Sequence, residues 1–171
     1  MGLDQYFYKR KIGDKEQNYK EIGYLRKANA LQRYFEARFN LQNLMYLEID
    51  GDTIDDLEKR LEGTNKVFAQ FAKDEAELEV INEYDNTDDF EKMSQLLSLY
   101  IEQESEIEKT MRKAHWAGEA FYPCWGDFYG DDTMSYMLLW QMPQIRKAIR
   151  AVIEAYDNLG PDESIVYIYS C

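Results

Sequence analysis

From about Thr87 the side chains of Phe90, Met93, Leu96, Leu97, Tyr100, Ile101, Glu104, Ile107, Met111 and His115 fall on or near one helical stripe, and nearly everything opposite them is charged. A helix with one wettable face owes its stability to whatever covers the other face, so this stretch, ending at Gly118, must lie sideways on a core built by the rest of the chain. Thr87 or Asp88 is placed to cap its start.

The two ends of the sequence supply that core. Gln5 to Lys11 is aromatic and β-favouring and runs into Gly13-Asp14, and Glu21 to Arg26 reads as its hairpin partner. Asn29 with Gln32 offers a capping box for a first helix that ends near Phe39. Leu44 to Ile49 reads as a third strand. Asp50-Gly51-Asp52 follows, its last Asp placed to cap a second helix carrying Ile54, Leu57, Leu61, Val67, Phe68 and Phe71, with Gly63-Thr64 as a break. Beyond the long helix, Ala120 to Trp125 and Met134 to Trp140 read as a fourth and fifth strand, Pro143 as the first turn of a helix over Gln144 to Asp157, and Ser164 to Ser170 as a last strand. The expected fold is α+β: an antiparallel sheet of five or six strands with helices on one side and an acidic helical insertion. With no linker, repeat or low-complexity tract, residues 1–171 read as a single domain and 64–116 as an acidic elaboration within it.

Charge is unevenly spread. Residues 1–40 carry nine basic and five acidic side chains, residues 41–112 seven and twenty, and residues 113–171 four and eight, for a total of -13. That sign opposes general affinity for nucleic acid or anionic membrane, and no window holds the roughly 20 apolar residues of a membrane span. No signal-peptide pattern opens the chain, so a cytoplasmic protein is expected. Any assembly is expected to be a two-fold homodimer through the aromatic sheet or the long helix.

No recognisable catalytic motif is present, and the expectation leans away from an enzyme and from any cofactor. His115 is the single histidine, and neither Cys124 nor any Ser has a nucleophile's setting. Together with Cys171 these residues give three zinc ligands at most, without C-x-x-C spacing. Asp127, Asp131 and Asp132 beside Gly126 and Gly130 lack EF-hand spacing and suit an ordinary turn, so no metal is expected. At Arg26, Lys27 and Asn29 a strand delivers the chain to a helix N-terminus, where an anion is favoured; Tyr24, Trp125 and Tyr129 are candidate walls of a nucleotide pocket there. The bland alternative is a cap, an ion pair and core aromatics.

Met1-Gly2-Leu3-Asp4 before an aromatic strand, Gly23-Tyr24-Leu25-Arg26-Lys27-Ala28-Asn29-Ala30 running into an aromatic helix, and the closing Tyr167-x-x-Ser170 resemble a family of small proteins of bacteriophages and their hosts. Its marks are an MGLDMYL-like start and a YWRKAN-like motif. The likeness covers the first 60 or so residues and the last 50, and this chain departs from it with Leu25 for Trp, Gln32 for His and Cys171 for Trp. The stretch from about Thr64 to Trp116 is an addition to the pattern. The resemblance implies a phage or prophage setting and carries no activity with it.

In that setting the acidic run acquires a sharper meaning than a solvated face. A net of -13 over residues 41–112 steers basic partners and can occupy a groove meant for phosphates. The first expectation is therefore an anti-defence protein of the anti-CRISPR kind, which blocks the basic nucleic-acid groove of a host nuclease without chemistry of its own. Its contacts would be Glu77, Glu79, Glu83, Asp85, Asp88, Asp89, Glu102, Glu104, Glu106 and Glu108, with no direct contact to nucleic acid or membrane. The alternative is a small-ligand module, sponge or minor enzyme working at the Arg26–Asn29 turn.

Overall fold

The structure, a computed structural model, describes residues 2–13, 16, 18–40, 46–83, 90–121 and 134–170. Strand β1 (Asp4–Lys11) pairs antiparallel with β2 (Lys20–Arg26) on one side and with β4 (Glu163–Ser170) on the other, and β3 (Tyr46–Ile49) adds to β4, giving the order β2-β1-β4-β3. Alternation along the strands sends Gln5, Phe7, Leu25, Ile165 and Tyr167 to a buried face. Tyr6, Tyr8, Tyr19 and Tyr24 instead stack against one another on the opposite face, with ring centroids 5.0 to 5.6 Å apart.

Helix α1 (Asn29–Phe39) covers the buried face, its Phe35 ring 4.2 Å from the Tyr167 ring. Helix α2 (Gly51–Ala69) follows β3, and α3 (Glu75–Glu83), α4 (Phe90–Ile101) and α5 (Glu104–Trp116) form the acidic block. Their Ile81, Leu96, Tyr100, Ile107 and Met111 join the same apolar cluster as Phe7 and Phe35, so the block shares the core of the sheet domain. A short helix α6 (Met134–Tyr136) runs through a π-helical segment (Met137–Gln141) into α7 (Met142–Asp157), which lies on β2 so closely that a Cβ on Gly23 would sit 3.5 Å from that of Ala148.

The α+β class stands, with four strands among the described residues instead of five or six. Met134 to Trp140 is helical, not a strand. A short apolar run fits a buried helix as well as a buried strand; Pro143 does stand in the first turn of α7, although the π-helical segment before it is already helical. A proline inside a helix crowds the carbonyl four residues back, and the wider π turns ending at Gln141 accommodate that. Ala120 and Phe121 are not in a strand, and Pro123 to Trp125 lie outside the described residues, as do Thr87 and Asp88.

The long helix is two helices, parted at Glu102 and Gln103. Leu96, Tyr100, Ile107 and Met111 are buried, and polar Glu104 occupies the place between Tyr100 and Ile107 where a continuous stripe needs an apolar residue. Capping differs in detail as well. Asp50, not Asp52, caps α2 by accepting from the Thr53 N–H at 2.8 Å and the Thr53 hydroxyl at 2.6 Å. Ala28 stands at the cap of α1, with Asn29 buried in its first turn.

Helix α2 runs unbroken through Gly63 and Thr64. A Cβ at Gly63 would lie 1.7 Å from the backbone oxygen of Glu119, so glycine is there to let another stretch of backbone cross the helix. Thr64 fixes the crossing by accepting the Phe121 N–H at 2.8 Å while donating to the Arg60 carbonyl. In an open helix Gly→Ala gains roughly 1 kcal/mol, but here the overlap is with backbone, which cannot rotate away, and overpacking costs about 1–3 kcal/mol. G63A is therefore expected to lower the unfolding free energy by about 2 kcal/mol in urea denaturation; unchanged or raised stability would show that the crossing is looser than this.

Candidate functional site

The crossing of Gly118–Phe121 over α2 forms one wall of a cleft of about 1100 Å³ between α1, α2 and α5. Four arginines line it: Arg33 and Arg38 from α1, Arg60 from α2 and Arg112 from α5. Asp56 and Glu108 are its carboxylates, Tyr34, Ala37 and Phe121 give apolar wall, and His115 and Trp116 complete the α5 side.

Asp56 organises one end. Its Oδ2 accepts from the Tyr34 hydroxyl at 2.8 Å and from Arg38 Nη1 at 3.4 Å, and lies 3.6 Å from Arg60 Nε. Two guanidinium groups thus share one carboxylate. Arg60 also donates from Nη1 to the Ala120 carbonyl at 3.1 Å and lies over the Tyr34 ring, 5.6 Å from its centroid. Burial, and then the bond to Asp56, hold the Tyr34 hydroxyl well above its ordinary value of 10, so it stays protonated as a donor. At the other end Arg112 pairs with Glu108 at 2.5 Å, and Arg33 at the margin pairs with Glu36 at 3.4 Å. Trp116, one turn beyond Arg112, is 76% exposed.

The other proposed residues do not converge. At the strand-to-helix turn, the Ala28 N–H donates to Gln5 Oε1 at 2.9 Å and the Ala30 N–H to Gln141 Oε1 at 2.8 Å, so amide side chains take the place an anion would occupy. Arg26 is tied through its backbone to Gln144, and Lys27 adopts a positive φ of 54°. Tyr24 lies on the opposite sheet face, donating to Asp4 at 2.7 Å, while Trp125 and Tyr129 lie outside the described residues.

The acidic set is divided. Glu79, Glu102 and Glu106 are exposed; Glu77 accepts the Lys73 N–H; Glu104 accepts the Met134 N–H at 3.1 Å and so serves the start of α6; Glu108 faces Arg112 in the cleft. Glu83 closes α3, and Asp85, Asp88 and Asp89 lie outside the described residues, as do Asp127, Asp131 and Asp132.

None of the four cleft arginines was singled out from the sequence, because residues 33, 38, 60 and 112 meet only in three dimensions. One signal was readable: Glu108, Arg112 and Trp116 at i, i+4 and i+8 share one face of α5. Among the described residues no helix is long and apolar enough to cross a membrane, and no group of three His, Cys, Asp or Glu side chains is arranged to hold a metal ion. Compared with protein-family models, curated proteins and solved structures, the chain matches none.

His115 lies against the crossing segment, with Nδ1 3.4 Å from the Ala120 carbonyl. Desolvation holds the imidazole below its ordinary value of 6.5; the Ala120 bond opposes that and the nearby Arg60 charge adds to it. The unfolded chain therefore binds this proton more readily than the folded one, and the contribution to stability is full above 6.5 and is lost as pH falls below it. Wild type is expected to lose more stability than H115Q between about pH 7 and pH 5. Parallel pH–stability curves for the two proteins would show that His115 titrates as it does in the unfolded chain.

Proposed function

We propose that the protein is a binding module for a small anionic ligand, which it holds in the cleft between α1, α2 and α5. The observation that carries this reading is the convergence of four arginines from three helices on one cavity, in a chain whose net charge is -13. Guanidinium groups cluster at such a density where planar, two-point recognition of phosphate or carboxylate is needed. Their present partners do not argue against it. Arg38, Arg112 and Arg33 are a third to a half exposed, and exposed ion pairs contribute only about 0–1 kcal/mol each, so an incoming anion competes on easy terms. The ligand-binding alternative read from the sequence thus survives at a different site from the Arg26–Asn29 turn.

Inorganic pyrophosphate and citrate are suitable probes for calorimetric titration. A charge-assisted hydrogen bond contributes about 1.5–3 kcal/mol, so R38Q and R112Q are each expected to weaken binding roughly tenfold. Absence of heat with both anions, or undiminished affinity in the double variant, would overturn the proposal.

The acidic-blocker reading has one observation in its favour. Glu79, Glu102 and Glu106 stand exposed on α3, just after α4 and on α5, and Leu97 and Ile101 of α4 are exposed as well, so the acidic block keeps both charged and apolar groups open to a basic partner. Reversal of those three glutamates to Lys is expected to abolish capture of a nuclease from a defence-carrying lysate while leaving the circular dichroism spectrum unchanged. Capture that survives the reversal would remove this reading.

A further inference from the structure

We infer that the ligand of the cleft is a nucleoside phosphate, its base stacked on Trp116 and its phosphate held by the arginines; this rests on the anion-binding reading above. Trp116 is the most exposed large apolar side chain among the described residues, at 76% against 58% for Ile12. An indole left this open on the rim of a cavity is surface that a bound planar ring would cover. The ring it would cover carries a negative group close by, because Arg112 lies four residues earlier on the same helix face, about one turn or ~5.4 Å along the axis. That is the order of the span a ribose places between a base and its phosphate.

The cavity also has more room than an inorganic anion needs. Its volume of about 1100 Å³ lies just above the range for sites that enclose drug-sized molecules, roughly 300–1,000 Å³. Arg38 and Arg60, which share Asp56, lie on the neighbouring helices of the same cavity. A phosphate bound there would leave Trp116 and Arg112 unused, whereas a ring on Trp116 with its phosphate one turn away at Arg112 engages both.

A stacking platform is tolerant of base identity, since every base has a π face. Weak discrimination among the four common bases is therefore expected, together with strong discrimination against a ring-free phosphate. The test compares AMP, GMP, CMP and UMP with ribose 5-phosphate by calorimetry, on wild type, W116A and W116F. Wild type is expected to bind the nucleotides roughly tenfold more tightly than ribose 5-phosphate; W116A is expected to erase that margin without changing ribose 5-phosphate binding, and W116F to restore part of it. Because the side chain is exposed, W116A is expected to melt with wild type, and the melting curve is recorded as the control. Equal affinity for ribose 5-phosphate and the nucleotides, or a margin that survives W116A, overturns the stacked-base inference and leaves the anion site standing. If neither the nucleotides nor ribose 5-phosphate nor pyrophosphate binds, both fall together.

Discussion

The amide of Gln5 holds the architecture at its narrowest point. It is fully buried on β1, donates to the Ala28 carbonyl at 3.1 Å and accepts from the Ala28 N–H at 2.9 Å, so both polar groups of one residue at the head of α1 are met by one side chain. The same Nε2 lies 2.8 Å from the Tyr167 hydroxyl, which donates onward to Gln32 at 2.5 Å. The two central strands and the first helix are thereby joined by a buried polar chain. Buried polar groups are costly unless satisfied, so this chain specifies one placement of α1 on the sheet where apolar packing alone would tolerate several. The rotation of α1 then decides that Tyr34, Arg33 and Arg38 turn toward α2, and the cleft follows from it.

The distribution of charge becomes intelligible on that frame. The basic first 40 residues and the acidic middle of the chain meet along the α1–α2 contact, where Arg38 finds Asp56. Arg60 comes to the same carboxylate from within α2, leaving positive charge in excess at that end. The excess is local. Beyond about 8 Å it is screened at physiological salt, and the chain as a whole carries -13, so a ligand would be recognised by contact and not drawn in by steering.

Much of the fold was legible because its signals are local. Aromatic, β-favouring composition beside a turn located β1 and β2, and alternation β4, each to within a residue, and the Asp50–Asp52 turn marked the start of α2, although Asp50 and not Asp52 supplies the cap. What was misread depended on distant partners. Asn29 looked like a cap because cap residues are short and polar, yet Gln5 and Gln141 serve the helix N-terminus from far along the chain. Gly63 looked like a break because glycine weakens helices, while its actual use is the approach of the Glu119 backbone. Charge counting grouped the acidic residues by position in sequence, whereas folding sends Glu104 to a helix start and Glu108 to an arginine. The cleft was invisible because its cations come from three helices.

The π-helical segment sets which side chains before α7 are buried. Without the wider turns before Pro143, the apolar run from Met134 would present a different face from the one that buries Met137, Leu138 and Gln141. Gln141 sits at the end of that segment and carries the amide oxygen that meets the Ala30 N–H. Arg146, five residues further on and within α7, is buried and donates to Asn65 of α2 at 2.8 Å and to the Ile81 carbonyl of α3 at 2.9 Å. The π-helical segment and α7 that continues it therefore hold α1 with Gln141 and α2 with Arg146. The two walls that carry Arg38 and Arg60 are set against each other by a helix that contributes no residue to the cleft itself.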